Sequence, residues 1–79
     1  SQLFTQNIEK GIAEGLYRPE VDIAAAVQFY YTLIFSINEN TLYEKDASEL
    51  EAKALEYHTR AIATPAGLEE LERQLTLHT

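Results

Sequence analysis

Residues 22–40 read DIAAAVQFYYTLIFSINEN and are the most apolar part of the chain. Asp22 is a good N-cap, because its carboxylate can accept hydrogen bonds from the free amides in the first turn of a helix. The segment therefore predicts a helix that starts after Asp22 and runs to about Asn40, roughly 28 Å at about 1.5 Å per residue. Its apolar part, Ile23 to Ile37, is about fifteen residues long, which is shorter than the roughly twenty that a membrane span needs. We therefore expect no membrane partner and a soluble, cytoplasmic protein.

Apolar side chains are distributed around nearly the whole circumference of this helix. One stripe has helical spacing and consists of Ile23, Val27, Tyr30, Ile34 and Ile37. Further large side chains lie outside that stripe, namely Phe29, Tyr31, Leu33 and Phe35. A helix that is apolar nearly all round must be covered nearly all round. The remaining segments of a 79-residue chain are too few to provide this cover, so we expect a partner surface, most simply a second copy of the chain.

A shorter helix is predicted before the central one. Apolar residues recur at spacings of three and four from Gln2 to about Glu14, which is the pattern of one helical face. Gly15 is expected to end this helix as a left-handed residue just beyond its last turn. Pro19 prevents the helix from continuing, because proline lacks a backbone donor and disfavours a helical conformation in the residue before it.

Two more helices are predicted after the central one. Ser48 and Glu51 have the spacing of a capping box, with Asp46 as a rival cap, and predict a third helix that ends near Ala63. The pair Thr64-Pro65 predicts the start of a fourth helix, because threonine caps well and proline suits the first helical position. The inward-facing residues of this last helix are expected to be Leu68, Leu71 and Leu75.

Four helices without strands predict an all-α, antiparallel helical bundle that occupies residues 1–79 as a single fragment. The chain is 46% hydrophobic, with three glycines and two prolines, and this composition excludes a disordered tail. Thirteen acidic against six basic residues give a net charge of −7, so the phosphate backbone of a nucleic acid would repel these residues. The absence of cysteine excludes a disulfide framework and a thiol nucleophile.

The residue types of common catalytic and metal sites are poorly represented. His58 has no His, Asp or Glu three or four residues away, so it lacks a local partner for a metal ion and is interpreted as a packed or interface histidine. His78 lies at the terminus, where we expect a solvated side chain. Glu69 and Glu70 lie on a face predicted to be wet, without the burial that raises the pKa of a general acid. We therefore expect no enzyme activity, no metal and no cofactor.

The aromatic residues of the central helix allow two interpretations. An aromatic helix with a few polar tips can line a small-molecule pocket, and a buried phenol then needs a hydrogen-bond partner. The residues that would form such a ligand-binding wall are Tyr30, Tyr31, Phe35 and Asn38. The same residue types also fill a core or a dimer seam, so the pattern leaves both interpretations open.

Two blocks of sequence resemble a known family. Residues 8–22 read IEKGIAEGLYRPEVD, a glycine-punctuated helix end that runs into an aromatic-Arg-Pro-acidic turn. Residues 56–71 read EYHTRAIATPAGLEEL, in which the Ile-Ala-Thr-Pro-x-Gly-Leu stretch is the more specific feature. Together they resemble the C-terminal end of TetR-family transcriptional regulators, particularly a group common in Bacteroidetes.

The resemblance implies a homodimer. Such regulators are all-helical dimers in which an N-terminal helix-turn-helix domain binds operator DNA, while a larger C-terminal domain dimerises and usually encloses an effector pocket. By this analogy the second and third helices meet those of a two-fold mate. The expected dimer contacts are Phe29, Leu33, Tyr57, His58, Ala61 and Ile62. The helix-turn-helix domain is absent from these residues, so DNA binding would belong to the parent protein.

A second hypothesis is a stand-alone helical adaptor that binds another protein through its exposed apolar helix. It explains the acidity and the small size of the chain equally well. An upstream coding sequence with a basic helix-turn-helix would favour the regulator, whereas a start methionine shortly before Ser1 would favour the adaptor.

Overall fold

The computed structural model describes residues 2–77, and these residues form four helices and no β-strand. The helices are α1 (Gln2–Ala13), α2 (Ile23–Asn40), α3 (Glu44–Ile62) and α4 (Pro65–Leu77). The prediction of an all-α fold is therefore confirmed. His78, for which a solvated side chain was expected, lies outside the described residues.

The end of α1 is fixed by a glycine, as predicted. Gly15 has a φ of 77°, which a residue without a Cβ adopts at little cost. The amide of Leu16 donates to the Gly11 carbonyl at 2.8 Å, and the amide of Gly15 donates to the Ile12 carbonyl at 3.1 Å. This pair of bonds is the Schellman arrangement, which satisfies carbonyls that a helix end would otherwise leave unpaired.

The start of α2 agrees with the prediction and the start of α3 does not. The amide of Ala25 donates to Asp22 Oδ1 at 3.1 Å, so Asp22 caps α2. The third helix begins at Glu44 with Tyr43 at the N-cap position and no side-chain cap, so the capping box at Ser48 and its rival Asp46 are both wrong. The helix starts earlier because Glu44 and Asp46 place negative charge in its first turn and because Ala47 is buried there.

The loops before α2 and before α4 pair with each other, and we call residues 15–18 with 62–67 the clasp. The amide of Arg18 donates to the Ile62 carbonyl at 2.8 Å and the amide of Thr64 donates to the Leu16 carbonyl at 3.0 Å. These bonds flank an isolated antiparallel bridge between Tyr17 and Ala63. The two sequence blocks that carry the family resemblance therefore meet in space.

Thr64 completes the clasp. Its Oγ1 accepts a hydrogen bond from the Gly67 amide at 3.1 Å, which caps α4 as predicted, and donates to the Gly15 carbonyl at 2.6 Å, 49 residues away. A Cβ at Gly67 would overlap the carbonyl oxygen of Leu16. Glycine is therefore needed at this position so that the N-terminus of α4 can approach the loop after α1.

The core lies where α1, α2 and the end of α3 meet. Its buried members are Ile8, Ala26 and Ile62. Partly buried residues pack against them, namely Phe4, Ile12, Tyr17, Val21, Ile23 and Val27. Ile62, which was expected at a dimer interface, is only 8% exposed. It turns inward because the end of α3 packs on α1 and α2, so we remove it from the set of contact residues.

Candidate interaction face and groove

Some of the exposed large apolar side chains lie along one side of α2 and α3, and others, such as Phe35 and Tyr43, lie elsewhere. On α2, Phe29 is 68% exposed and Leu33 follows it four residues later, so the two lie on one line of the helix. On α3, Leu50, Tyr57 and Ala61 are exposed and lie seven and four residues apart. We call these five residues the outer face.

The outer face lies on the side of the α2–α3 pair that α1 and α4 leave uncovered. The Phe4 ring of α1 lies 4.9 Å from the Tyr30 ring and 5.9 Å from the Tyr31 ring, so α1 packs on that flank of α2, although Tyr31 stays 42% exposed. Phe29 and Leu33 point away from this flank by the rotation of the helix. Leu55 of α3 faces α1 and α4, whereas the outer-face residues of α3 are rotated away from them.

Charged side chains are kept to the margin of the outer face. The line that begins with Phe29 and Leu33 continues through Ser36 and Asn40, all of them uncharged. On α3, the charged residues Asp46, Glu49 and Lys53 lie beside Leu50, and Lys53 Nζ is 3.5 Å from Glu56 Oε1 on the side away from the face. A chain with a net charge of −7 thus presents an apolar surface whose middle is neutral, as protein interfaces typically do.

His58 and the predicted interface residues differ in their surroundings. The half-buried His58 ring donates from Nε2 to the Ala26 carbonyl at 2.9 Å and lies 5.3 Å from the Tyr30 ring. It therefore joins α3 to α2 inside one chain. Phe29, Leu33, Tyr57 and Ala61 keep the exposure that a contact residue requires.

The four residues predicted as a pocket wall differ in their surroundings. The Tyr30 and Tyr31 rings lie 5.7 Å apart, and burial, followed by the nearby Glu51 charge, raises the pKa of Tyr30 above its usual value. Phe35 is 67% exposed. Asn38 donates from Nδ2 to the Ile34 carbonyl of its own helix at 3.0 Å. None of the four lines the groove described next.

A groove of about 420 Å³ lies between α1, α3 and α4. Its apolar lining consists mainly of Phe4, Leu16, Tyr17, Leu55, Leu71 and Leu75. Its polar lining consists of Asn7, Glu56, Thr59, Glu70 and Gln74. No local pattern in the sequence predicts this groove, because residues of α1, α3 and α4 form it jointly and each residue taken alone matches an ordinary helical stripe. The helical spacing of the leucines of α4 was the feature of the sequence that could have pointed to the groove.

Two carboxylates of the groove are paired with arginines. Glu56 Oε2 accepts hydrogen bonds from Arg60 Nε at 3.0 Å and Nη2 at 2.9 Å, and this lowers the pKa of Glu56. Arg73 Nε donates to Glu70 Oε2 at 2.9 Å, and the hydrogen bonds from Arg73 lower the pKa of Glu70 to about 2. Both carboxylates are therefore negative at neutral pH.

Residues 2–77 contain neither a cluster of metal ligands nor a membrane-spanning helix. Within residues 2–77, no group of three or more His, Cys, Asp or Glu side chains is arranged to hold a metal ion. None of the helices in this range is both long and apolar enough to traverse a bilayer. No family model, curated protein sequence or solved structure matches the chain.

Proposed function

We propose that this chain is the C-terminal dimerisation and effector-binding part of a TetR-like transcriptional regulator. Two copies pack outer face against outer face, and DNA is bound only through an N-terminal helix-turn-helix domain of the full-length protein. The observation that carries the proposal is the outer face itself, because an exposed apolar surface with a neutral middle typically marks an interaction site.

Charge favours a second copy as the occupant of this face. The five residues of the outer face are uncharged, and the charges beside Leu50, namely Asp46, Glu49 and Lys53, are of both signs, so the face offers a basic partner no uniformly acidic surface. Two chains of net charge −7 repel each other, so a self-interface must keep its charges at the rim. In a two-fold dimer the same patch is used twice, and the small side chain of Ala61 allows the helices to approach closely.

The family resemblance supports the regulator over a general adaptor. Its two sequence blocks contain the residues of the clasp, in which Thr64 binds the end of α1. The clasp holds α1 and α4 on one side of the α2–α3 pair and so leaves the other side open for a partner. The residues that carry the resemblance therefore position α1 and α4 relative to the outer face, although they do not lie on that face.

The regulatory mechanism would be a population shift between helix arrangements. An effector can bias a dimer only if it binds one arrangement more tightly than the other. α4 contacts α3, and α3 contributes to the outer face. An effector bound between α1, α3 and α4 would thus act on a helix that also forms the dimer contact, and would alter the spacing of the DNA-binding domains.

The dimer is tested by a pair of alanine substitutions on α3. Ala61 and Ala52 are both exposed, but Ala61 lies on the outer face and Ala52 on the opposite flank. By sedimentation across a concentration series, we expect the wild type and Ala52→Glu to be dimers and Ala61→Glu to be a monomer. A monomeric wild type, or an Ala61→Glu variant that still dimerises, would overturn the proposal.

The regulatory role needs a separate test on the full-length protein. We expect the upstream coding sequence to contain a basic helix-turn-helix, and the full-length dimer to retard its own promoter DNA in a gel-shift assay. Ala61→Glu in that protein should weaken the DNA complex because one half-site contact is lost. Full-length protein without such a domain would refute the regulator while leaving the dimer intact.

A further inference from the structure

α4 shares less of the core than the other helices do. Among the four helices of residues 2–77, α4 packs against α3 alone, and none of the described core residues belongs to it. Within the described part of α4, Gly67 is the one buried residue. Leu68, Leu71 and Leu75 are only half-buried, and the last two line the groove. Few apolar contacts therefore hold the C-terminal half of α4, as is typical of elements that open locally.

The N-terminal end of α4 is fixed by the clasp. Thr64 Oγ1 binds the Gly67 amide and the Gly15 carbonyl, and the Thr64 amide donates to the Leu16 carbonyl at 3.0 Å. A movement of α4 would therefore turn about residues 64–67, and the C-terminal half of the helix would move furthest.

Beyond the clasp, one arginine ties α4 to α3. Arg60 Nη1 of α3 is 2.8 Å from Glu72 Oε1 of α4, and Arg60 Nη2 is 2.9 Å from Glu56 Oε2 of its own helix. Within residues 2–77 no other ion pair joins these two helices. We call Arg60, Glu56 and Glu72 the latch, because one guanidinium holds a carboxylate of each helix.

Without the latch, the charges of α3 and α4 oppose their contact. α3 contains five acidic and three basic residues, and α4 contains three acidic residues and one basic residue. Both helices are thus negative, and like charges raise the energy of a close approach. The basic residue of α4, Arg73, is paired with Glu70 inside the same helix. Arg60 is therefore the cation that offsets this repulsion where the two helices meet.

We propose that α4 is a strap over the groove, hinged at the clasp and held closed by the latch. When the latch opens, α4 swings away from α3 and exposes the apolar groove lining, including Leu55, Leu71 and Leu75. The movement takes place within one chain and does not require the dimer. Its regulatory meaning rests on the proposed function, in which a molecule bound between α1, α3 and α4 biases the helix arrangement.

Amide hydrogen exchange measured by NMR tests the strap. A helix of 13 residues is marginal in water by itself, so α4 should lose its amide protection whenever it leaves α3. We expect the Leu71 and Leu75 amides to share one protection factor, about tenfold or more below that of Ile34 in α2, while the Thr64 amide stays as protected as Ile34. Equal protection in α4 and α2 would overturn the strap. A steady decline from Leu71 to Leu75, which fraying produces, or a Thr64 amide that exchanges with α4 would do so too.

A matched pair of glutamate substitutions on α4 tests the latch. Glu72→Gln and Glu69→Gln remove the same charge from exposed positions, but only Glu72 pairs with Arg60. We expect the protection of Leu71 and Leu75 to fall about two- to fivefold in Glu72→Gln, as for the loss of one partly exposed ion pair, and to change little in Glu69→Gln. Equal protection of these amides in the two variants would overturn the latch.

The same exchange measurement on Phe29→Ser separates the strap from the dimer. This variant carries its substitution on the outer face of α2, away from the latch. Low and common protection of Leu71 and Leu75 in Phe29→Ser supports the strap, whether or not the wild type dimerises. A wild-type dimer whose α4 is as protected as α2 overturns the strap and leaves the dimer standing.

Discussion

The clasp and the outer face use their side chains in opposite ways. In the clasp, Thr64 binds both the Gly67 amide and the Gly15 carbonyl, and Gly67 fits against a backbone oxygen. On the outer face, Phe29 and Tyr57 are each about two-thirds exposed. The comparison teaches that sequence-specific residues hold this chain together at one end, while aromatic side chains stay exposed on the outer face.

The largest effect is expected from a methyl group added inside the clasp. Gly67→Ala would place a Cβ against the carbonyl oxygen of Leu16, and backbone atoms there cannot move without breaking the Thr64–Leu16 hydrogen bond. We expect a loss of roughly 3 kcal/mol or more in the free energy of unfolding, typical of severe overpacking. Urea unfolding followed by circular dichroism measures it.

The control for this substitution is the preceding residue. Ala66 is exposed in the first turn of α4, so Ala66→Ser should change the free energy of unfolding by about 0.5 kcal/mol or less. A Gly67→Ala variant as stable as Ala66→Ser would mean that the clasp is not closely packed, and the contrast with the outer face would be lost.

A smaller loss is expected when the hydroxyl of Thr64 is removed. Thr64→Ala would leave the Gly67 amide without its cap and the Gly15 carbonyl without its donor. We expect a loss of about 1–2 kcal/mol in the free energy of unfolding. Thr64→Ser keeps the hydroxyl and should recover most of that stability. If serine and alanine are equally damaging, the methyl group rather than the hydrogen bonds stabilises the clasp.

A substitution on the outer face should weaken dimerisation and leave the stability of the monomer nearly unchanged. Phe29→Ser removes a large apolar side chain from a helix, yet the free energy of unfolding of the monomer should change by only about 0.5 kcal/mol, because Phe29 is largely exposed within one chain. The dependence of stability on protein concentration, which a dimer produces by mass action, should disappear. Urea unfolding at several protein concentrations measures both quantities. A large loss of monomer stability would show that Phe29 packs within its own chain.

The helix ends could be predicted because capping is local. Gly15, Asp22 and the Thr64-Pro65 pair each act on amides or carbonyls a few residues away, so the residue types alone identify them. The start of α3 could not be predicted in this way, since the burial of Ala47 and the short connection from α2 prevailed over the spacing of Ser48 and Glu51.

Contacts between residues far apart in the chain could not be predicted from local sequence patterns. Periodicity identifies an apolar stripe, but it does not say whether the chain itself or a partner covers it. Ile62 and Tyr57 belong to one helix and both have apolar spacing, yet Ile62 enters the core and Tyr57 stays outside. The clasp joins loops 49 residues apart, and the groove needs three helices, so neither follows from local patterns.

The smallest effect concerns an exposed ion pair that lies in neither region. Arg73 lowers the pKa of Glu70 from 4.5 to about 2. A carboxyl group whose pKa is lower in the folded state stabilises the fold above its unfolded pKa, and that contribution is lost as the pH falls through the folded value. The stability due to this pair should therefore be complete above about pH 4.5 and decline towards pH 2.

Because the pair is exposed, solvent screening keeps the effect small. In urea unfolding at pH 5 and pH 2.5, Glu70→Gln should show less pH dependence than Glu69→Gln, because Glu69 forms no ion pair within residues 2–77. Equal pH dependence in the two variants would show that the Glu70–Arg73 pair, which lies within α4, contributes nothing measurable to the free energy of unfolding.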